Sequence, residues 1–324
     1  MEIKVLPATF EHLQGIALVV NSLYPESSTS AEEIADGDRR RDPRHRVQRW
    51  IACEQGQVVG AGSYSQSIWF DHPQKFMLWT GVLPAYQQHG IGSRLYDAVI
   101  DGLKSYDPIA LRSSANAEQI KSRHFLEKRG FQEVIRDVCF ELNLKSYDVS
   151  RYAGVEDRMH TDGIEIKTLN ELADDHERDG RLYELDWELS QSVPGNLTNS
   201  IGRRGLEQYV EYAIRGPYAL PDGFFVAVKG DEYIGLSHVQ TLEEGVSLYQ
   251  ALTGVKPQYR HMGIGLALKL RIIAFALQSG YTMIRTENDA DNLPMMALNE
   301  SLGYERKSEK ITFQKELGVR GDKP

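Results

Sequence analysis

Cysteine is nearly absent: Cys53 and Cys139 are the only two in 324 residues. Neither belongs to a CxxC step or stands beside clustered histidines, so a disulfide framework and a metal site are excluded and both read as buried thiols. Also missing is any apolar run near the ~18 residues that a membrane-spanning helix needs. Met1-Glu2-Ile3-Lys4 opens on a strand-like segment rather than a signal peptide. The expectation is a soluble, cytoplasmic protein, monomer or homodimer, without membrane contact. No basic block occurs either. Lys and Arg number 37 against 46 Asp and Glu, a net charge of −9. That balance argues against a nucleic-acid partner and mildly favours cationic amines.

What the chain does have is one sentence written twice. Thr80-Gly81-Val82-Leu83-Pro84-Ala85-Tyr86-Gln87-Gln88-His89-Gly90-Ile91-Gly92 is matched by Thr253-Gly254-Val255-Lys256-Pro257-Gln258-Tyr259-Arg260-His261-Met262-Gly263-Ile264-Gly265 at a spacing of 173 positions. Gly130-Phe131 and Gly303-Tyr304 keep the same spacing of 173. A period this long means two copies of a whole domain, since solenoid repeats run ~20–50 residues. We place the domains at 1–145 and 163–324, with the polar stretch 146–162 as linker.

Each copy alternates strand and helix around a mixed sheet, an α/β (α+β) pattern. In the first copy, Val47–Glu54 and Gln57–Gln66 read as a hairpin across Gln55-Gly56. Strands follow at Met77–Val82, Ile109–Ser113 and Val134–Leu142, and helices at Ile91–Lys104 and Ala117–Arg129. The second copy repeats this with strands at Phe224–Val228, Glu232–Gln240, Val246–Val255, Met283–Glu287 and Ile311–Leu317. Its helical stretches are Leu169–Ser190, Arg204–Arg215 and Leu293–Leu302, and Pro217–Gly223 reads as a loop. Ser27–Arg46 reads as a solvated helix or loop.

The repeated stretch is an anion cradle. A strand stopped by Pro257 passes through a glycine-bracketed turn into the apolar helix that holds Leu266–Leu277. Such a turn leaves the first N–H groups of the helix unpaired, with the positive end of the helix dipole behind them, and a diphosphate fits there. Gly263 and Gly265 let phosphates approach the main chain, and Arg260 adds a guanidinium. A P-loop is excluded because Leu266 and Ala267 follow Gly265, and a dinucleotide fingerprint because Leu268 stands where a third small residue is needed.

What is left resembles the acyl-CoA signature of the GCN5-related N-acetyltransferases (GNAT), Gln/Arg-x-x-Gly-x-Gly/Ala after a strand and a Val-x-Pro step. The resemblance implies two tandem GNAT domains and acetyl-CoA, or another acyl-CoA, as cosubstrate. In the second copy it implies coenzyme contacts from Gly254, Val255, Lys256, Arg260, His261, Met262, Gly263, Ile264, Gly265 and Leu266, with Asn292 and Met295. In the first it implies Val82, Gln87, Gln88, His89, Gly90, Ile91, Gly92 and Ser93. The pantetheine arm would lie in a wedge beside the central strand, and a backbone N–H would polarise the thioester carbonyl, a contribution of ~2.7–4 kcal/mol in comparable oxyanion holes.

Many family members carry a tyrosine acid that here is replaced by Leu126 and Asn299, so the acid and base stay open among Asn299, Glu287 and Tyr249. Arg260 against Gln87 favours the second copy as the catalytic one. The implied function is acetyl transfer to the primary amine of a small molecule by direct attack. A non-catalytic acyl-CoA sensor or assembly module, motivated by the absent tyrosine, is the alternative.

Overall fold

In the computed structural model the hairpin turns come out as the sequence demands: Gln55 and Gly56 take φ of 49° and 83°, the left-handed pair that a two-residue connection requires. The structure describes residues 2–25, 29–66, 70, 72–145, 147–148, 152, 154–193, 202–242 and 245–318. The first half runs β1 (Lys4–Pro7), α1 (Leu13–Leu23), α2 (Ala31–Arg39), β2 (Val47–Glu54), β3 (Gln57–Ser65), β4 (Lys75–Val82), α3 (Ile91–Leu103), β5 (Ala110–Asn116), α4 (Ile120–Glu127) and β6 (Gln132–Asn143). After α5 (Val155–Thr161) the second half follows as β7 (Ile164–Thr168), α6 (Arg178–Gln191), α7 (Leu206–Tyr209), β8 (Ala219–Lys229), β9 (Glu232–Thr241), β10 (Ser247–Val255), α8 (Ile264–Gln278), β11 (Met283–Asp289), α9 (Leu293–Ser301) and β12 (Glu305–Glu316).

The strands form a single 12-stranded sheet in the order β1-β2-β3-β4-β5-β12-β6-β11-β10-β9-β8-β7. Two copies of one domain predict two sheets side by side, and the sheet departs from that in its middle. The last strand of each half is built into the other: β12 pairs with β5 of the first half, and β6 pairs with β11 of the second. The core follows the same exchange. Ile311 and Phe313 pack with Tyr64, Phe76 and Leu111, while Phe140 and Leu142 pack with Ile264, Leu268 and Ile284. Where β6 and β12 meet, Asp137 stands opposite Lys310, its own counterpart at the 173-residue spacing. A local twofold relation between the halves therefore passes through this strand pair. The β4/β5 and β10/β11 pairs are parallel and the rest antiparallel.

Alternation along β2 and β3 sorts the helices to two faces. Ile51 and Ala61 pack under α1 and α2, whereas Ala52 and Val59 pack under α3. The second half repeats the division, with α6 and α7 on the first face and α8 on the second. Helices α4 and α9 join α3 and α8 there, through Leu126 and Met296.

Three expectations are corrected. Part of the polar stretch between the halves is the helix α5, whose Val155 and Met159 are buried in the second-half core; a short amphipathic turn has too few apolar residues to show a period. The segment 219–223 belongs to β8, where the register skips from Ala219 to Phe224 and a bulge absorbs the residues read as loop. Strand β12 begins at Glu305, well before Ile311, because its charged first half lies beside β6 rather than in a core. The expected segment Ser27–Arg46 contains α2, capped by Ser30 Oγ accepting from Glu33 N–H at 3.1 Å; Ser27 and Ser28 lie outside the described residues.

Phe313→Ala removes a fully buried ring from the first-half core although its strand belongs to the second. The expected loss is about 3–5 kcal/mol, read by urea denaturation. A loss below about 1 kcal/mol would mean that β12 does not carry that core.

Candidate active site

Both cradles have one backbone geometry. Leu83 and Lys256 sit at φ −51° and −52°, Gln87 and Arg260 both at −69°, and Gly90 and Gly263 at 76° and 82°. Gln88 and His261 are left-handed at 67° and 65°, and the two histidines of the motif thus differ in place, His261 matching Gln88 rather than His89. The first helical bonds run from Arg94 N–H to Gly90 O and from Ala267 N–H to Gly263 O. Ahead of them lie the N–H groups of Ile91, Gly92 and Ser93, and of Ile264, Gly265 and Leu266, as a cradle requires.

Arg260 and Gln87, expected to differ in grip, do the same local work. Arg260 Nε donates to Val255 O and Gln87 Nε2 donates to Val82 O, both at 3.1 Å. Each ties the turn to the last residue of its central strand.

Behind each cradle the sheet opens. Strand β4 pairs with β5 only at Lys75–Ala110, Phe76–Leu111 and Met77–Arg112, and β10 with β11 only at Ser247–Met283, Leu248–Ile284 and Tyr249–Arg285. Beyond those pairs the strands diverge into a wedge. The N–H groups of Leu83 and Lys256 are already given to Val59 O and Ile234 O at 2.9 Å. By strand alternation, Val82 and Val255 then turn theirs into the wedges. Gly81 and Gly254 are small for packing reasons: a Cβ would stand 2.6 Å from Leu23 of α1, or 3.0 Å from Leu189 of α6.

The wedges differ in what surrounds them. In the first half a cavity of about 280 Å³ runs from Gln87, Gly90 and Ser93 past Ser113 and Ser114 to Trp79. Nothing stands within 4 Å of a Cβ built on Gly90. In the second half Met159 of α5 lies 3.6 Å from a Cβ on Gly263. Asn299 there is fully buried, its Nδ2 donating to Asn288 Oδ1 at 2.5 Å. Its Oδ1 has no partner among the described residues. Asn292 caps α9, accepting from Met295 N–H at 3.3 Å. Lys256 Nζ is held by Glu232 at 2.8 Å.

A second cavity, about 380 Å³, shares Tyr24, Trp79 and Ser114 with the first. It ends on Cys139, Glu287, Ser308 and Lys310. Glu287 lies 3.8 Å from Lys310 Nζ, and Cys139 Sγ donates to it at 3.8 Å. Burial and then the Glu287 charge raise the Tyr249 phenol well above its ordinary range. Burial, and after it Glu287, also pushes Asp137 up to about 6. The structure thus brings Glu287 and Tyr249 to one face of the sheet. Asn299, on α9, contacts Asn288 and lies on the opposite face.

Sequence reasoning missed a buried network behind the second wedge. Lys269 Nζ donates to Gln250 Oε1 at 2.6 Å, and Tyr304 OH donates to the same oxygen at 3.1 Å. Gln250 Nε2 donates to Ser237 and Thr253 at 3.0 and 3.1 Å. Burial lowers Lys269 to about 7. A lysine inside the apolar stretch of α8 was the available signal.

A strand–turn–helix with bare amides at the helix start, opening into a wedge that leads to a carboxylate, is the geometry expected of an acyltransferase. The comparisons agree. The Acetyltransferase (GNAT) family matches at residues 16–131 and again at 182–304, and the chain belongs to that family, as an N-acetyltransferase with two copies of its domain. It is 24% identical over 272 residues to mycothiol acetyltransferase of Thermobifida fusca (strain YX), covering 79% of this chain and 78% of that protein. The tandem GNAT protein from the clavulanic acid biosynthesis pathway, solved without AcCoA, superposes with a TM-score of 0.73 at 18% identity over 98% of this chain and 99% of that one. A GCN5-related N-acetyltransferase from Sphaerobacter thermophilus gives 0.72 at 14%, covering 97% and 95%. Among the described residues no helix is long and apolar enough to cross a membrane.

Asp137 yields a test of the electrostatics. Its folded-state value near 6 exceeds the ordinary ~3.9. The folded state therefore binds more protons than the unfolded one between those values, and stability falls as pH rises through that window. Asp137→Asn should raise the urea midpoint at pH 8 and leave it nearly unchanged at pH 4. Equal effects at both pH values would refute the assignment.

Proposed function

We propose that the protein transfers acetyl from acetyl-CoA to the primary amine of a small molecule by direct attack, with the coenzyme in the first-half wedge. The observation that carries this is the pair of cavities with common walls, one beginning at the first cradle and the other ending at a carboxylate. The residues fit the coenzyme. Its diphosphate would meet the amides of Ile91, Gly92 and Ser93, and its pantetheine arm would lie against β4, where the Val82 N–H faces the wedge. Bound there, acetyl-CoA supplies an activated acyl group on a thiol that leaves readily. The chain's part is to hold the thioester carbonyl against that N–H, to seat the amine on the far side, and to take its proton.

The second cradle keeps the same amides. Sequence favoured this half through Arg260. Its turn is nevertheless packed by Met159 of α5, and we read it as a secondary coenzyme site.

Gly90→Asp adds a negative charge where the diphosphate would sit. Acetyl-CoA affinity measured by calorimetry should fall by about 100-fold, ~2.7 kcal/mol, and amine-dependent release of free CoA should be lost. Unchanged binding and turnover would refute the first-half assignment.

A further inference from the structure

We infer that Glu287, a residue of the second half, is the base for acyl transfer from the first cradle, so that the reaction centre is assembled from both repeats. This rests on the first-half reading above. Among the described residues lining the second cavity, Glu287 is the carboxylate. The first half contributes Tyr24, Cys139 and neutral side chains such as Ser63, Ser114 and Asn116; a tyrosine is not a base near neutral pH, burial raises the Cys139 thiol, and the rest accept no proton. The first half's own counterpart of Glu287, 173 positions earlier, is Ser114, whose hydroxyl is bonded to Thr312 at 3.1 Å. A base is therefore absent from the repeat position where symmetry would put one, and present across the exchanged strands.

The exchange is what delivers it. Glu287 on β11 stands opposite Cys139 of β6, and Cys139 stands opposite Ser308 of β12. Only β6 and β12 separate β11 from β5, the far wall of the first wedge. Had each half kept its own last strand, no strand of one repeat would lie within another's cavity. The groups facing Glu287 are Cys139 and Asp137 from β6, Lys310 from β12, Tyr249 from β10, and Asp289 on its own strand. Arg285, also on β11, is turned to Glu141 at 3.0 Å. Lys310 Nζ stands 3.8 Å away, and Asp137 and Asp289 make the neighbourhood attractive to an ammonium group.

The acceptor enters as an ammonium ion and gives one proton to the Glu287 carboxylate. Its freed lone pair attacks the thioester carbonyl carbon. The C–N bond forms, the C–S bond breaks, and the electron pair leaves on sulfur. A second proton from the nitrogen neutralises that thiolate, directly or through water, and Glu287 returns its proton to solvent.

The test uses the full chain and acetyl-CoA with two probe acceptors. Ethanolamine is almost wholly protonated at pH 7.5 and needs a base; hydroxylamine is largely neutral and does not. Glu287→Gln should lower kcat/KM for ethanolamine by about 100-fold, within the usual range for a general base. It should erase the acidic limb of the pH–rate profile, leave the KM for acetyl-CoA unchanged, and lose little rate with hydroxylamine. Equal losses with both probes, or none, would overturn the role of Glu287. Loss of transfer in Gly263→Asp but not in Gly90→Asp would assign Glu287 to its own half and overturn the cross-half inference. Acetyl-CoA binding unchanged in Gly90→Asp, or no transfer by the wild type to either probe, would instead overturn the reading on which the inference rests.

Discussion

The antiparallel ladder between β6 and β12 is the constraint on which the other features depend. It places the two repeats around a common line at Asp137 and Lys310, so the same face of each half looks into a shared central region. Without it the chain would be two open sheets, each ending in an unpaired strand edge, a template for aggregation. With it, both cores are closed by the other repeat's aromatic residues, Phe313 in one and Phe140 in the other. Loss of either strand therefore damages both halves.

Duplication followed by exchange also explains the division of labour in the site. The cradles are built from backbone, from left-handed turns and from helix ends, and both copies keep them almost unchanged over 173 residues of separation. Chemistry carried by side chains has diverged. Ser114 stands where the second half has Glu287, Leu126 where it has Asn299, and Met77 and Tyr96 where it has Gln250 and Lys269. Anion binding by amides tolerates such drift because it asks nothing of side chains. Proton transfer does not.

The central cavity is electrostatically mixed. Glu287 lines it, Asp137 and Asp289 lie near Glu287 without lining the cavity, Lys310 partly offsets the negative charge, and desolvation lifts Asp137. A cationic group seated there would relieve repulsion among the carboxylates, in keeping with the overall charge of −9. Behind the second wedge, by contrast, Lys269 is satisfied by neutral oxygen and by the ring of Tyr304, 4.9 Å from its Nζ. That arrangement holds Gln250 beside the bulge in β10.

The sequence by itself determined the local structure and the family. Hairpin turns, glycine-bracketed cradles and apolar helices are written in residues a few positions apart, where turn chemistry and helix-end physics act directly. The duplicated motif was legible for the same reason. Only the tertiary structure decided that the repeats trade their last strands, because a strand's alternation tells which face is buried and nothing about which neighbour it pairs with. It also decided that Arg260 and Gln87 serve the same local bond, that α5 packs on the second cradle, and that Glu287 borders the first half's cavity. Apart from the five-residue bonds of Arg260 and Gln87, those outcomes depend on contacts across more than a hundred residues, and no periodicity or spacing in the chain encodes them.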